Sequence, residues 1–437
     1  MKRLTLIWLR KRYPVLLITD QLVNYGPYLI YMLIMSKTGA TASSILPFAI
    51  FYALRKVSIV VLGDFRRHLF ELGIGSISLT IIGCLFGIFA NHDFLLTLSA
   101  IGTGIGAGCY PLVNSQFIKI KKHDQNRAGK SSSMVRILFT TLTLLLLIAG
   151  AAYLSFSLAF ILLAVVALVS SLSFISLYRH RLSPIPIHLH LNTFFLGILL
   201  LLALIYIRVG KSELVEKTLQ IGLILLAIFL AYLILTAKRS FHLTPNSGLL
   251  QFELIMYGSC VMFWLLFTIV FYGNFMMGMT LLVYIAAMTL AKPITQFIYR
   301  NVALTPLHIN LFGISLGLLL TFNFYTYLIG IFFIRVFGSA QKSISISTYE
   351  ALSRNYQTST IISYYLNLLG GLIIQFIFWG ALIIFTNSKE WKFILSGHQS
   401  SLTLSLMETH IVLVGTMLII LALTYYYSRL TEKKSSM

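Results

Sequence analysis

Long runs of apolar residues occupy most of this chain, and short polar segments separate them. A helix needs about 20 apolar residues to cross the hydrocarbon core of a bilayer. Fourteen runs are of that order, at 13–36, 44–63, 69–90, 94–118, 132–153, 156–178, 191–208, 216–236, 249–272, 276–299, 305–322, 325–342, 358–386 and 406–428. The pattern predicts an all-α polytopic membrane protein.

The composition agrees with this prediction. Hydrophobic residues make up 58% of the chain, charged residues 10%, and the mean hydropathy is +0.88, which excludes an ordinary water-soluble domain. The first run follows Arg10-Lys11-Arg12 and is too long for a signal-peptide core, so we expect it to remain as the first span. All three cysteines lie inside predicted spans, which argues against a disulfide framework and favours packing roles.

Basic residues are concentrated in alternate loops. If the N-terminus is cytoplasmic, most lysines and arginines fall in inner loops, and the outer loops hold Lys37, Arg208, Lys211, Lys217, Lys389 and Lys392. The positive-inside rule then places both termini in the cytoplasm and the chain in the cell membrane. The formal net charge of +21 reflects this topology and contact with anionic membrane lipids, so we expect no nucleic-acid partner.

The spans are grouped as six, two and six. Polar, proline-containing stretches at 178–191 and 238–248 set apart the two spans between them. The predicted organisation is an N-terminal six-helix half (1–181), a linker with two inserted helices (182–240) and a C-terminal six-helix half (241–437). Transporters often consist of two such halves around a central cavity.

Two motifs carry a family resemblance. The loop after the second span reads Gly63-Asp64-Phe65-Arg66-Arg67, and the fourth span contains glycines at 102, 104, 106 and 108, followed by Pro111. Both resemble the major facilitator superfamily. The resemblance implies that Gly63, Asp64, Arg66 and Arg67 form a gating charge relay at the cytoplasmic helix ends. Glycines four apart, such as Gly102 and Gly106 or Gly104 and Gly108, let helix backbones approach closely in a bilayer.

The first span adds a third likeness. Asp20 to Pro27 resembles the Asp…Asn…Pro element of fourteen-helix exporters of the superfamily, which makes Asn24 and Tyr25 candidate substrate-binding residues. Ala100 stands where drug/proton antiporters carry an arginine, and their Gly-Pro pair is absent from the fifth span. Peptide transporters also insert two helices between their halves, but their acidic-and-arginine signature is absent from the first span.

Ionisable residues inside spans mark candidate functional positions, because each costs at least about 2.5–3.5 kcal/mol to insert. They are Asp20, Arg55, Lys56, Arg136, Glu253 and Arg335. In the superfamily layout, spans 1, 4, 9 and 12 line the central cavity, which places Asp20, Glu253 and Arg335 in or near it. Arg136, Glu253, Lys292 and Glu408 are near enough to span ends that snorkelling to the interface is an alternative explanation.

Arg55 and Lys56 point about 100° apart on a helix, so we expect one of them to pair with Asp20 or to lie at a helix interface. The deep charges are net positive, which favours an anionic or zwitterionic substrate. Arg55 and Arg335 are the candidate substrate contacts, and a structural ion pair or hydrogen bonds to backbone carbonyls are the alternative. Asp20 and Glu253 are candidate proton carriers, because a carboxyl group in an apolar site can exchange protons near neutral pH.

Together these features predict a fourteen-helix secondary transporter that works by alternating access, most simply as a proton-coupled exporter of a small amphipathic solute. We expect no cofactor, and His188-Leu189-His190 lacks the acidic or cysteine partners of a metal site. The first alternative is a flippase for lipids or lipid-linked oligosaccharides. A second alternative, an integral-membrane transferase, is disfavoured because the twelve acidic residues are scattered.

Overall fold

The computed structural model describes residues 2–38, 42–61, 68–124, 134–177, 190–212, 216–240, 245–271, 273–353, 356–386 and 404–435. Within these ranges there are fourteen α-helices and no strand. The helices are α1 (Lys2–Thr38), α2 (Ala42–Val61), α3 (Leu69–Gly87), α4 (Asp93–Asp124), α5 (Met134–Leu154), α6 (Phe156–Leu177), α7 (Leu191–Ser212), α8 (Glu216–Ser240), α9 (Pro245–Phe271), α10 (Gly273–Asn301), α11 (Pro306–Leu320), α12 (Tyr327–Ser353), α13 (Tyr356–Phe385) and α14 (Leu404–Ser435). The predicted all-α fold class is confirmed.

Many helices are long and apolar enough to cross a membrane. Within the described ranges, nine segments meet that condition, and Leu290–Asn301 with Pro306–Leu320 adds a pair bent by 120°. Several helices extend past their apolar runs; α1, for example, begins at Lys2 and includes the basic residues before the first run. Lysine and arginine are good helix formers, so a helix continues beyond the hydrocarbon without interruption. The chain is a polytopic membrane protein.

The bend between α10 and α11 follows from local sequence. Thr305 adopts an extended conformation, and its side chain accepts a hydrogen bond from the backbone N–H of His308 at 3.5 Å. Pro306 begins α11, where its missing N–H costs no helical hydrogen bond. This Thr-Pro start lets a new helix begin a few residues after α10 ends.

Two compact units divide the chain, Met1–Leu225 and Leu226–Met437. The division falls within α8. The first unit has α4 packed against α1, α2 and α3, while α1 also contacts α5 and α6, and α7 packs on α2. Its core includes Tyr31, whose ring lies 5.2 Å from Phe51 and 5.8 Å from Phe160. The Tyr31 hydroxyl donates to Ser99 Oγ at 2.8 Å, so the polar end of the ring is satisfied inside the unit.

The glycines of α4 set how closely its neighbours approach. A Cβ atom at Gly102 would lie 2.5 Å from the backbone oxygen of Leu79 in α3, and one at Gly108 would lie 2.6 Å from the backbone oxygen of Arg55 in α2. Of the two glycines between them, Gly104 faces α2 and Gly106 faces α3. Two alternating rows of glycine therefore bring two different helices against α4.

The second unit is built around α9, which contacts α10, α12, α13 and α14. Gly258 of α9 and Gly370 of α13 lie against each other's helix backbone, so neither position has room for a side chain. On α14, the imidazole of His410 is enclosed by Phe267 and Phe322, and its Nε2 lies 3.1 Å from Thr321 Oγ1. Close glycine contacts and the enclosed His410 thus help to hold the interior of this unit together.

Candidate functional site

Asp20 lies on α1 inside the first unit, with a side chain that is 7% exposed. Its Oδ2 accepts a hydrogen bond from Gln21 Nε2 at 3.2 Å, and the side chain of Asn114 on α4 is a second neighbour. Oδ1 has no hydrogen-bond partner among the described residues. A buried carboxylate with an unused acceptor costs free energy, and binding a proton relieves that cost.

Hydroxyl groups beside Asp20 join three helices. Thr19 Oγ1 lies 2.8 Å from Ser170 Oγ on α6, and the hydroxyl of Tyr110 on α4 lies 2.5 Å from the same oxygen. All three side chains are buried. The carboxyl group of α1 therefore lies next to a polar cluster, although the first unit is otherwise mainly apolar.

Arg55 lies where α1 and α2 meet. Its guanidinium carbon is 5.6 Å from the ring centre of Tyr25, a candidate residue that is itself 43% exposed. Asn24 is half-buried next to it on α1. The sequence predicts that one of the cations Arg55 and Lys56 pairs with Asp20 or lies at a helix interface. Within the described residues Asp20 forms no ion pair with either of them, and Arg55 lies at the interface of α1 and α2.

Arg208 is a buried cation that the sequence analysis did not single out as a candidate site residue. The charge pattern assigned it to an external loop, but it lies within α7 and is 9% exposed. Its guanidinium carbon is 4.2 Å from the ring centre of Tyr52 and 5.2 Å from that of Phe48, both on α2. The sequence feature that indicates a helical position for Arg208 is the apolar residues on either side, Leu204–Ile207 and Val209, which continue the helix past the cation.

Arg335 lies on α12 inside the second unit and is 9% exposed. It donates a hydrogen bond to the hydroxyl of Tyr257 on α9, and its guanidinium carbon lies 4.1 Å from the ring centre of Tyr284 on α10. Lys342, further along α12, has its ammonium nitrogen 4.4 Å from the ring centre of Tyr257. Two cations and two aromatic rings thus form one group, which we call the α12 cation cluster (Arg335, Lys342, Tyr257, Tyr284).

The space beside this cluster is small. A cavity of about 10 Å³ is bordered by Arg335, Tyr257, Tyr284 and Trp264, and that volume is close to the minimum for one water molecule. Trp264 lies against Tyr284 with ring centres 4.6 Å apart. In this conformation the aromatic rings fill the space that a larger molecule would need.

Glu253 is 4% exposed on α9 and ends a chain of hydrogen bonds across four helices. The Tyr299 hydroxyl donates to Asn310 Oδ1 at 2.7 Å, and Asn310 Nδ2 donates to Gln341 Oε1 at 2.9 Å. Gln341 Nε2 lies 3.5 Å from Ser345 Oγ, which in turn donates to Glu253 Oε2. The chain ends at the Glu253 carboxyl group, and Ser345 Oγ also lies 2.9 Å from the backbone oxygen of Gln341. We call this the Glu253 chain.

Sequence reasoning found the charged ends of these two groups and missed their neutral members. Tyr257, Tyr284, Asn310, Gln341 and Ser345 are ordinary residues of transmembrane helices, and no spacing in the sequence distinguishes them. Hydrogen-bonding residues within apolar spans were the available signal, because polar side chains there need partners.

The remaining candidate positions are distributed as follows. The proposed gating residues Gly63, Asp64, Arg66 and Arg67, and the side chain of Arg136, lie outside the described residues. Pro111 is buried inside α4, one turn beyond the glycine rows. Among the described residues no group of three histidine, cysteine or acidic side chains could hold a metal ion. Of the two histidines considered above, His190 is among the described residues and His188 lies outside them.

Comparison with known proteins gives likenesses in structure. No family model matches the sequence, and no curated protein matches it. An auto-inhibited POT family peptide transporter has a similar structure, with a TM-score of 0.58, 13% identity and coverage of 96% of this chain and 97% of that one. The POT family transporter PepTSo gives a TM-score of 0.56, 14% identity and coverage of 97% and 98%.

A third similar structure comes from work on substrate recognition in proton-dependent oligopeptide transporters, with a TM-score of 0.52, 10% identity and coverage of 98% and 100%. These likenesses extend over nearly the whole length of each chain. At such identities they establish the fold. The chain therefore shares the fold of these POT family transporters, in agreement with the major-facilitator-like helical fold predicted from its sequence.

Proposed function

We propose that this protein is a secondary active transporter that moves a small amphipathic solute bearing an anionic group across the cell membrane by alternating access. Its fold is that of transporters, and the sequence contains no ATP-binding module, so an ion gradient is the energy source in this proposal. Catalysis is not part of it. Both termini are cytoplasmic in the proposal, because basic residues are concentrated in the loops on that side.

The observation that carries the proposal is the α12 cation cluster. Arg335 is deeply buried on α12, where it donates to a tyrosine hydroxyl and lies over a tyrosine ring. Rings and hydroxyl groups of this kind hold a guanidinium group in a fixed place. A guanidinium group can bind a carboxylate through paired hydrogen bonds.

The filled cavity beside Arg335 fits a transporter that changes conformation. A bound solute has to take the place of rings such as Tyr284 and Trp264, which lie 4.6 Å apart. Movement of α10 or α9 would provide that room. Alternating access requires such a site to open and close in each cycle, and by the superfamily resemblance the loop residues 63–67 control the cytoplasmic side.

Proton coupling is assigned to Asp20 and Glu253. Each is a buried carboxyl group in its own unit, and their hydrogen-bond partners are neutral side chains. A carboxyl group without a neighbouring cation can be neutral in one conformation and ionised in another. The resemblance to fourteen-helix exporters suggests export, and proteins of similar fold include proton-dependent oligopeptide transporters.

The test is transport in proteoliposomes with an imposed proton gradient. Candidate solutes are a carboxylated amphiphile, a dipeptide, a cationic drug and a short-chain fluorescent phospholipid. The proposal expects accumulation of an anionic or zwitterionic solute. Opposite gradients distinguish export from uptake. Scrambling of the phospholipid without proton movement would favour the flippase alternative and overturn the proposal.

Variants then test the assigned residues. We expect Arg335→Ala to weaken solute affinity by about tenfold or more, because the charge-assisted hydrogen bonds to the carboxylate are lost. Arg300→Ala, at an exposed arginine of α10, is the matched control and should transport normally. Asp20→Asn or Glu253→Gln should abolish gradient-driven accumulation while solute exchange at equal concentrations continues. Wild-type activity in both Arg55→Ala and Arg335→Ala would refute substrate contact by these arginines.

A further inference from the structure

The inserted helix α7 is closely packed against α2 of the first unit. Near its start, Gly197 faces Val57 and Val61, with a Cβ position 3.3–3.4 Å from their methyl groups. Near its end, Arg208 covers the rings of Phe48 and Tyr52. The contact therefore runs along most of α2, with small and apolar residues at one end and a buried cation at the other.

Arg208 adds a third positive charge to the two already on α2. Lys56 lies one helical turn from Tyr52, so the two side chains share a face of α2. Arg55 and Arg208 lie close enough to Lys56 for their charges to act on its ammonium group. Arg208 and Tyr52 also interact through a side-chain hydrogen bond. Arg208 and Lys56 thus lie at the part of α2 that α7 covers, and Arg55 lies next to them toward α1.

The described residues supply no acidic partner for these charges. No carboxylate among them lies within 4 Å of Arg55, Lys56 or Arg208. Asp20, on the neighbouring α1, interacts instead with Gln21 and Asn114. Aromatic rings reduce the cost of a buried cation but leave its charge uncompensated. Three like charges in a low-dielectric setting favour binding of an anion.

We propose that α7 completes an anion-binding site at its contact with α2, formed by Arg208, Lys56 and Arg55, which takes a phosphate group. Phosphate matches the donors because it can carry two negative charges and accepts from both guanidinium and ammonium groups. Lys56 and Arg55 are partly exposed, so the anion reaches the site beside them, whereas Arg208 forms its buried wall. The inference goes beyond the proposed function, because binding is measured without transport.

The phosphate group has two possible sources, a soluble phosphate ester or the headgroup of an anionic lipid. Near Arg208, the apolar side chains of Leu202 and Tyr206 on α7 are exposed, so a lipid could reach this part of the helix. Two measurements on the purified full-length protein distinguish the sources. One follows thermal unfolding with inorganic phosphate or pyrophosphate at constant ionic strength, and the other compares nanodiscs of phosphatidylglycerol and phosphatidylcholine.

Charge-removing variants locate the site. Wild-type protein and the control Arg300→Gln should be stabilised by a phosphate probe to the same saturating extent. Arg208→Gln and Lys56→Gln should each bind that probe about tenfold more weakly, the effect of one lost charge-assisted contact. An effect of the soluble probes supports a phosphate-bearing solute, and an effect of phosphatidylglycerol alone supports a lipid headgroup.

Two results would overturn the inference. One is that none of the probes stabilises the wild-type protein. The other is that both variants bind the probe with wild-type affinity, which would place the anion elsewhere. If Arg208→Gln does not fold because α7 loses its contact with α2, Lys56→Gln alone decides, since Lys56 is partly exposed and its replacement leaves the rings beneath Arg208 in place.

Discussion

Replacement of Gln341 by leucine tests the Glu253 chain directly. Gln341 is 1% exposed and accepts the hydrogen bond of Asn310 Nδ2 at 2.9 Å. Leucine has a similar volume but no polar atom, so the Asn310 donor is left buried and unsatisfied. We expect Gln341→Leu to destabilise the second unit without creating a cavity.

The size of the effect follows from the groups that lose partners. A buried donor left unsatisfied costs about 1–3 kcal/mol, and the 3.5 Å contact of Gln341 Nε2 with Ser345 is weak. A loss of about 2 kcal/mol is therefore expected, which corresponds to a Tm lower by roughly 4–8 °C for a unit of about this size. Thermal unfolding of the purified protein measures it.

Ser343→Ala is the matched control on the same helix. Ser343 is exposed, and its hydroxyl donates to the backbone oxygen of Ser339 at 3.0 Å, so its loss should change stability by no more than about 0.5 kcal/mol. The double variant Asn310→Leu/Gln341→Leu removes donor and acceptor together and should be less destabilised than the two single effects summed. A Tm for Gln341→Leu equal to that of wild type, or strict additivity in the double variant, would refute the reasoning.

Two further predictions use the packing of the helices. Gly106→Ala should lower the Tm, because the new methyl group meets Thr80 Oγ1 and lies 2.9 Å from the backbone oxygen of Ser76, and overpacking typically costs about 1–3 kcal/mol. The control is Gly150→Ala on α5, where nothing lies within 4 Å of the new methyl group, so its Tm should be unchanged or higher. Equal Tm values for the two variants would contradict the close approach of α3 and α4. The three cysteines are all buried, so a maleimide should label them after unfolding and leave the folded protein largely unlabelled. Rapid labelling of the folded protein would contradict this prediction, because it would show that the helix contacts that bury the cysteines open readily.

The sequence by itself determined the membrane architecture. A bilayer accepts helices whose side chains are apolar over about 20 residues, so the spans could be read from composition along the chain, and the glycine rows of α4 predicted close helix contacts. It also located the deep charges Asp20, Arg55, Glu253 and Arg335, because charges inside apolar runs are conspicuous. The division into halves and inserted helices, and the gating loop, stay predictions.

Only the tertiary structure decided what those charges contact. Arg335 and its partner Tyr257 are 78 positions apart, and Tyr284 comes from a third helix, so no local spacing connects them. Spans are apolar on almost every face, and the sequence therefore does not indicate how each helix is rotated against its neighbours. The same is true of Arg208: its place at the end of the seventh apolar run does not indicate that packing of α7 on α2 buries it over two aromatic rings.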